Sequence, residues 1–465
     1  MAVPEISRVR VRIAPSPTGF AHLGTASTAL YNVLFARKEA GTFVLRVDDT
    51  DVERNREEYE KVIYEALHWL GLDWDEGPDK AGPDGPYRQS ERLDIYRQAA
   101  AKLLDKKMAY RCHCTAEELD AERRAAQAAK RPYAYSRRCL TNPPAGRKEF
   151  TVRFQVPGGE VRFKDMIRGD VTFDSGLFGD FIIVKSDGFP TYNFASPLDD
   201  AAMKITHVIR GEEHLPNTPY QLLVVDALGY QRPEAFAHMP LILAPDGGKL
   251  SKRKHPEANL MLYREQGYLP EAMINYLALL GWNPGTEREI FSMDELVNAF
   301  SFDRVQHGGA RFDRKKLDWI DGEYIRALDD DDLWRRLRAF LPELDESTLR
   351  RAVPALRTRL RTLGEAKAML EYLWTEPVTP ELSSDDRERL TRAMEALSAA
   401  STWDAVALHD ALARLAESEG LKPNAIFMPV RLAVTGKTIS PPIGDTLALL
   451  PKDVAMARLT RAVAV

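Results

Sequence analysis

The sequence predicts an α/β fold built on a parallel sheet and followed by an all-helical region. Strand and helix patterns alternate over the first seventy residues, whereas strand patterns nearly vanish beyond about residue 325. Alternating strands and helices imply right-handed crossovers and a parallel sheet that is covered on both faces. Because 465 residues are too many for one compact core, we expect several domains.

The first elements follow from the spacing of apolar residues. Residues 9–14 (VRVRIA) alternate with period two and predict a strand, and a Pro/Gly loop leads to a helical pattern that ends at Gly41. Residues 42–47 predict a second strand, and a long helical pattern over 55–70 stops at Gly71.

The later segments predict an interrupted α/β domain and two helical regions. Residues 107–195 contain short strand patterns and one polar helix, which indicates an inserted α+β module. The α/β pattern resumes over 196–255, so residues 1–106 and 196–255 are predicted to form two halves of one domain. A site is expected where the carboxyl ends of their strands meet. Residues 256–325 precede two helical regions, 326–375 and 376–465.

Composition indicates an ordinary globular protein and excludes a membrane span. Hydrophobic residues make up 44% and charged residues 29%, with no apolar run of the length that crosses a bilayer. Three cysteines and an N-terminus without an apolar signal segment favour a cytoplasmic location. The net charge of −5 does not by itself suggest a nucleic-acid partner, but basic clusters at 249–255, 311–316 and 350–361 allow one, because phosphate contacts need only a local basic surface.

Two separated loops carry the chemistry of nucleotide binding. Residues 14–25 (APSPTGFAHLGT) connect the first strand to the first helix, whose N-terminal N–H groups are suited to phosphate. The sequence GxxxxGK[ST] is absent, so this is not a Walker loop. Residues 249–253 (KLSKR) follow a second Pro/Gly loop, and their lysines can stabilise the charge that develops on pyrophosphate when a carboxylate is adenylated.

These motifs resemble those of the bacterial glutamyl-tRNA synthetases, a family of class I aminoacyl-tRNA synthetases. APSPTGFAHLGT is similar to the first signature of the glutamyl and glutaminyl enzymes, and KLSKR resembles their KMSKS motif. Further matching segments follow in the family's order, at 49–51, 85–92, 186–195, 208–221, 238–243, 265–272 and 275–282. The resemblance implies a Rossmann-type catalytic domain and ATP-dependent ligation of L-glutamate to tRNA(Glu).

The resemblance also implies roles for individual residues. Those expected to bind glutamate are Arg12, Ala14, Ser16, Asp48, Tyr192 and Arg210. Those expected to bind ATP or act in catalysis are His22, Gly24, Thr25, Lys249 and Lys252. Asp48 departs from the family, which usually has glutamate at this position to meet the α-ammonium of the substrate. ATP is expected to act with Mg²⁺, as its chemistry implies.

For tRNA, the resemblance assigns a function to each remaining region. Residues 107–195 are expected to bind the acceptor end, 256–325 to contact the stem, and 326–375 and 376–465 to bind the anticodon. The residues expected at the anticodon are Arg357, Arg359, Arg431, Ser440 and Ile443. The expected partners are tRNA(Glu), L-glutamate and ATP, with no membrane, and the protein is expected to be a monomer.

The three cysteines match a zinc pattern incompletely. Cys112, Cys114 and Cys139 have the spacing of zinc-containing family members, but Thr141 stands where a histidine is usual. Tyr135 is the candidate fourth ligand by analogy with a related paralogue, ahead of His113. One structural Zn²⁺ and a metal-free group of buried thiols therefore both remain open.

Other functions are compatible with part of the pattern. A glutaminyl-tRNA synthetase would share the catalytic motifs but carry β-barrel anticodon domains, whereas this C-terminal third is helical in pattern. A truncated paralogue would lack the last two regions. A non-catalytic RNA-binding relative would have no need to retain both ATP motifs.

Overall fold

In the computed structural model, the chain is described over residues 9–51, 53–251 and 254–464, and it divides into two compact units. Unit 1 contains residues 1–261 and 274–313, and unit 2 contains residues 262–273 and 314–465. The finer division into five regions stays a prediction. Within the described residues, no helix has the length and apolar character needed to cross a bilayer.

Unit 1 carries the described strands and a first set of helices. The strands are β1 (Arg10–Ile13), β2 (Thr42–Leu45), β3 (Ala109–Cys112), β4 (Thr151–Phe154), β5 (Glu160–Asp165), β6 (Gly169–Asp174), β7 (Phe181–Val184), β8 (His207–Gly211), β9 (Ala235–Met239), β10 (Ile242–Leu243) and β11 (Ala310–Arg311). The helices before residue 230 are α1 (Leu23–Lys38), α2 (Glu57–Trp69), α3 (Leu93–Asp105), α4 (Ala116–Ala128), α5 (Arg138–Thr141), α6 (Tyr192–Ala202) and α7 (Thr218–Leu228).

The remaining helices follow residue 260. They are α8 (Met261–Glu265), α9 (Pro270–Leu279), α10 (Met293–Ala299), α11 (Arg314–Ala327), α12 (Asp330–Leu337), α13 (Glu346–Arg357), α14 (Glu365–Leu370), α15 (Ser384–Ser398), α16 (Ala405–Ser418), α17 (Asn424–Thr435), α18 (Ile443–Ala448) and α19 (Lys452–Ala464). Residues 326–464 contain no described strand, which confirms the predicted all-helical region.

The strand pairs at the centre of unit 1 are parallel, as the alternating pattern predicts. Strand β1 pairs in parallel with β2, and β8 pairs in parallel with β9. β1 and β8 are neighbours, because the Thr206 N–H just before β8 donates to the Arg10 carbonyl at 2.9 Å. The two halves separated in sequence therefore lie side by side, and the carboxyl ends of β1 and β8 reach the same edge.

The segment predicted as an insertion contributes to two sheets. β3, β4 and β7 form an antiparallel sheet of their own, which agrees with the predicted α+β module. The antiparallel hairpin of β5 and β6 instead extends the sheet of β8 and β9, since Asp165 at the end of β5 pairs in parallel with Phe236 of β9. This connection brings a residue of the predicted insertion into the α/β domain.

Helix α1 ends earlier, and for a different reason, than the sequence predicts. It ends at Lys38, and the left-handed residue that follows is Ala40, with φ of 49°. Gly41 is required by close packing instead, because a Cβ there would lie 2.4 Å from the carbonyl oxygen of Val9. The predicted stop of α2 at Gly71 is confirmed, with φ of +68°.

Each unit has its own hydrophobic core. In unit 1, Phe194, Leu198, Val208 and Phe236 bring α6, β8 and β9 into one buried cluster. The helices of unit 2 bury a separate set of leucines, namely Leu349, Leu356, Leu390, Leu412 and Leu459.

Candidate active site

A cavity of about 1060 Å³ opens at the carboxyl ends of β1 and β8 in unit 1. It brings together the predicted glutamate-site and ATP-site residues that the structure describes, which are Arg12, Ala14, Ser16, His22, Gly24, Thr25, Asp48, Tyr192, Arg210 and Lys249. Lys252 lies outside the described residues.

His22 caps the helix that faces the cavity. It precedes the first residue of α1, and its Nδ1 accepts the Gly24 N–H at 2.9 Å. Nδ1 is consequently unprotonated, which leaves the proton of a neutral imidazole on Nε2. The side chain fixes the start of α1, the region where helix N–H groups are suited to phosphate.

A buried network of arginines and aspartates lies beneath the cavity. The Arg12 guanidinium donates to both oxygens of Asp200, at 2.9 and 3.2 Å. Arg46 also donates to Asp200, at 2.6 Å, and to Asp48, at 2.7 Å. Burial opposes the ionisation of Asp200, but the charges of Arg12 and Arg46 lower its pKa to about 2. The predicted glutamate-site residue Arg12 is thus already bound in a fixed ion pair.

The network continues to a second aspartate on α6. Asp199 is fully buried and accepts from Gln89 at 2.8 Å, from Arg92 at 2.7 Å and from the Tyr96 hydroxyl at 2.8 Å. The network tethers the end of α6 to β1, to the residue that follows β2, to the turn before α3 and to α3 itself. Sequence reasoning missed Asp199 and Asp200. The signal that could have revealed them is the presence of arginines inside apolar strand patterns, since a buried guanidinium requires a partner.

Asp48 lies at the edge of this network with its side chain almost buried. Its two oxygens contact Arg46, at 2.7 and 3.4 Å. Burial raises the pKa of Asp48 to about 6, against the opposing effect of the Arg46 charge. This carboxyl therefore titrates close to neutral pH, unlike Asp200.

Arg210 is buried beside the cavity without an acidic partner. Its five N–H groups point to neutral acceptors: His238 Nε2 (3.3 Å), Tyr192 Oη (3.1 Å), Gln221 Oε1 (2.8 Å), Thr218 Oγ1 (2.7 Å) and the His214 carbonyl (3.4 Å). Among the described residues, no carboxylate accepts a hydrogen bond from it. Burial lowers the pKa of Arg210 from its usual value. A buried, uncompensated guanidinium at a cavity is suited to an anionic ligand.

The five acceptors of Arg210 fall into two groups. Tyr192 and His214 line the cavity, whereas Gln221, Thr218 and His238 are buried behind the guanidinium. If a ligand displaces the two cavity-side acceptors, one N–H on each terminal nitrogen becomes available. A carboxylate can accept that pair in a bidentate manner. Burial and the nearby Arg210 charge lower the pKa of His214 to about 4, so the His214 imidazole is neutral at pH 7.

Lys249 lines the cavity from the loop of the KLSKR motif. Its ammonium lies 3.1 Å from Glu213 Oε1, and both side chains are partly exposed. Glu213 also lines the cavity, at the end of β8, and sequence reasoning did not single it out. The ion pair connects the loop of the second basic motif to the strand end that carries Arg210.

The three cysteines lie close together in the predicted insertion. Their sulfur atoms lie within 4.8 Å of one another, and Cys114 Sγ is 3.4 Å from Cys139 Sγ. The Tyr135 hydroxyl lies 3.4 Å from Cys112 Sγ and 3.1 Å from Cys114 Sγ. His113 instead directs Nδ1 to the Glu149 carbonyl at 2.8 Å. The cluster therefore unites the three thiols with Tyr135.

The predicted anticodon residues lie in unit 2 and differ in accessibility. Arg359 is exposed, and Arg357 is paired with Asp330. Arg431 donates from one terminal nitrogen to the Ser440 carbonyl at 3.1 Å and to the Pro441 carbonyl at 3.0 Å. The side chains of Ser440 and Ile443 are each 2% exposed. Arg431 thus fixes the loop between α17 and α18, whereas the neighbouring Ile439 is 66% exposed.

The parallel sheet, the cavity at its strand ends and the separate helical unit define the architecture of a class I tRNA synthetase. Comparison with known families agrees with this class. The family described as "tRNA synthetases class I (E and Q), catalytic domain" matches residues 8–319, and the "Anticodon binding domain" family matches residues 332–463.

Individual relatives narrow the class. The glutamate--tRNA ligase of Moorella thermoacetica is 47% identical, with 98% of each chain covered. That of Acidothermus cellulolyticus is 46% identical, covering 98% of this chain and 96% of its own. A crystal structure of a glutamate tRNA ligase from Elizabethkingia meningosepticum superposes with a TM-score of 0.85 at 34% identity, over 98% of this chain and 99% of the other. The chain therefore belongs to the glutamate--tRNA ligase family of class I tRNA synthetases.

Proposed function

We propose that this chain uses ATP to join L-glutamate to the 3′ end of tRNA(Glu). In the first step the substrate carboxylate attacks the α-phosphorus of ATP, which forms glutamyl-adenylate and releases pyrophosphate. In the second step a hydroxyl of the 3′-terminal adenosine attacks the adenylate carbonyl and releases AMP. No protein nucleophile is required, so the contribution of the enzyme is binding, orientation and charge stabilisation.

The observation that carries the proposal is the environment of Arg210. Its guanidinium donates to three buried acceptors. When a ligand displaces the Tyr192 hydroxyl and the His214 carbonyl, two N–H groups become available to the cavity. A carboxylate bound here would compensate the charge of the Arg210 guanidinium, whereas a neutral amide would leave that charge uncompensated. The side-chain carboxylate of glutamate is the proposed partner, with Ala14 and Ser16 of the adjoining loop lining the same pocket.

The α-ammonium and the nucleotide are assigned to the other side of the cavity. Asp48 is the proposed partner of the ammonium. His22, Gly24 and Thr25, at the start of α1, are proposed to face the adenosine and phosphates of ATP. Lys249 and Lys252 are proposed to stabilise the departing pyrophosphate, and Mg²⁺ is proposed to accompany ATP.

ATP–pyrophosphate exchange with each amino acid, in the presence and absence of tRNA(Glu), tests this function. We expect exchange to be far more efficient with glutamate than with glutamine, and we expect charging of tRNA(Glu). Charging of tRNA(Gln), assayed separately, defines the tRNA range. Exchange that is as efficient with glutamine as with glutamate, or absence of exchange with every amino acid in the presence of tRNA, would contradict the proposal.

We further propose that Cys112, Cys114, Cys139 and Tyr135 hold one structural Zn²⁺. The support is chemical: three thiols converge around one phenolic hydroxyl, and thiolates with one oxygen ligand can complete a tetrahedral site. Metal analysis of purified protein should then give about one zinc atom per chain. Cys114→Ser should abolish zinc binding and lower the melting temperature of the protein. A metal-free preparation with full stability would favour the alternative of hydrogen-bonded thiols.

The proposed monomeric state and cytoplasmic location rest on the sequence alone and stay predictions. The assignment of residues 107–195 to the acceptor end and of 256–325 to the stem has the same basis.

A further inference from the structure

Behind Arg210 lies a buried pair that the proposed reaction does not use. His238 on β9 is fully buried, and its Nδ1 lies 2.6 Å from Asp165 Oδ2. Asp165 is the last residue of β5, in the segment predicted as an insertion, and is 1% exposed. Its other oxygen accepts the N–H groups of Ile167 and Arg168, both at 2.9 Å. The carboxylate is thereby fixed in position.

This contact determines the protonation of the imidazole. A carboxylate can only accept, so His238 Nδ1 must carry the proton and Nε2 must present a lone pair. Burial opposes the ionisation of Asp165, but the hydrogen bonds that it accepts from His238, Arg168 and Ile167 lower its pKa, and burial lowers the pKa of His238. The pair is consequently an ionised carboxylate beside a neutral imidazole.

The Nε2 lone pair of His238 faces both Arg210 and Thr218. Arg210 Nε–H donates to His238 Nε2 at 3.3 Å, and Thr218 Oγ1 lies 3.0 Å from the same nitrogen. If Nε2 carried a proton, it would oppose the Arg210 N–H donor to donor. The acceptor therefore exists only in the tautomer that Asp165 imposes.

We propose that Asp165 and His238 are positioning residues that orient Arg210 for a substrate carboxylate. The inference rests on the proposed function, in which that carboxylate belongs to glutamate. His238 fixes Nε, while Thr218 and Gln221 fix one N–H on each terminal nitrogen, so the remaining two N–H groups face the cavity. Loss of the Nε contact would let the guanidinium rotate within its plane and misdirect that pair.

Two substitutions at one position separate this role from simple packing. In His238→Gln, the amide oxygen can occupy the place of Nε2 and still accept from Arg210. In His238→Asn, the amide nitrogen can occupy the place of Nδ1 and still donate to Asp165, but nothing reaches Arg210. The shorter chain of asparagine and the longer chain of glutamine thus each preserve one of the two contacts.

The readouts are KM for glutamate and for ATP in pyrophosphate exchange with tRNA(Glu) present, and the ratio of kcat/KM for glutamate to that for glutamine. For His238→Asn we expect KM for glutamate to rise at least about tenfold, a loss typical of a hydrogen bond to a charged group. KM for ATP should stay within about twofold, and the glutamate preference should fall. His238→Gln should remain within about threefold of the wild type in all three. Equal effects of the two variants, or no effect of either, would overturn the inference.

A measurement on the unmodified protein decides the case if a variant fails to fold. Nitrogen NMR of ¹⁵N-histidine-labelled wild type reports which ring nitrogen of His238 is protonated. A neutral ring protonated on Nδ1 supports the inference, whereas protonation on Nε2 overturns it. Wild-type exchange with glutamate is measured first, so failure of the proposed function is recognised separately from failure of the positioning role.

Discussion

At the scale of single residues, the buried arginines at and beneath the cavity differ in their hydrogen-bond partners. Arg12 and Arg46 have aspartate partners and form part of the buried framework. Arg210 is equally buried but hydrogen-bonded only to neutral groups among the described residues. Because an ion pair is costly to break in a buried setting, a ligand carboxylate is expected to bind Arg210 rather than to displace Asp200 from Arg12.

This difference predicts the effect of a conservative change. Arg210→Lys keeps the charge but cannot satisfy three buried acceptors and still present two parallel donors. We expect KM for glutamate to rise about 10- to 100-fold while KM for ATP changes less than about twofold. Arg232→Lys, at a partly exposed residue paired with Asp226, is the matched control and should behave as wild type. Equal increases in both Michaelis constants would contradict the role of Arg210.

The raised pKa of Asp48 predicts a pH dependence. The carboxylate is the form that attracts the α-ammonium, and its pKa of about 6 means that it is protonated as pH falls through 6. KM for glutamate should therefore rise about tenfold between pH 7 and pH 5, because one pH unit below the pKa about a tenth of the group is ionised. KM for ATP, measured over the same pH range, serves as the reference for this change.

A variant with no carboxyl at position 48 completes this test. Asp48→Asn should have a raised KM for glutamate at every pH, and this KM should no longer depend on pH between 7 and 5. If KM for glutamate still depends on pH in this variant, another titrating group is responsible for the dependence. Asp48→Glu, which restores the residue usual in the family, should retain binding if the side chain can adjust its contact with Arg46.

At the scale of elements, residues chosen by resemblance have unequal access to a ligand. The cavity gathers side chains from β1, α1, α6 and β8, as expected when strand ends meet. In unit 2, by contrast, the loop between α17 and α18 buries Ser440 and Ile443 and exposes Ile439. Reading of an unpaired base needs accessible edges and stacking surfaces. Arg431 is therefore expected to act by holding this loop in shape as well as by any direct contact.

Removing the Arg431 side chain tests the loop. Arg431→Ala deletes the donor to two main-chain carbonyls, so the loop should loosen and KM for tRNA(Glu) should rise at least about fivefold. Constants for glutamate and ATP should stay nearly unchanged. Arg392→Ala, which removes a partly exposed pair with Glu419, is the control within the same unit. An unchanged KM for tRNA would show that this loop does not contribute to recognition.

The sequence could predict elements and motifs but not the partners that lie far apart in the chain. Period-two and helical patterns located β1, β2 and α2. Motif matching selected ten described residues that all line one cavity in the structure. Asp199 and Asp200 escaped notice because their role depends on arginines more than a hundred residues away. The pairing of β5 with β9 escaped for the same reason, since strand pairing across an insertion is not encoded in local periodicity.

At the scale of the whole molecule, two compact units each have a buried core, and the chain passes between them at residues 261–262, 273–274 and 313–314. Unit 1 depends on the buried network around Asp199, and unit 2 depends on packed leucines such as Leu459 of α19. A protein with separate cores need not unfold in one cooperative step. We therefore expect scanning calorimetry to resolve two unfolding transitions.

A pair of substitutions, one in each core, assigns these transitions. Asp199→Asn leaves Arg92 buried without its charge partner and should cost about 3–5 kcal/mol in unit 1. Leu459→Ala creates a cavity in unit 2 and should cost about 2–5 kcal/mol. Each variant should lower the temperature of one transition and leave the other in place. A single transition that both variants shift by the same amount would show instead that the two cores unfold as one cooperative unit.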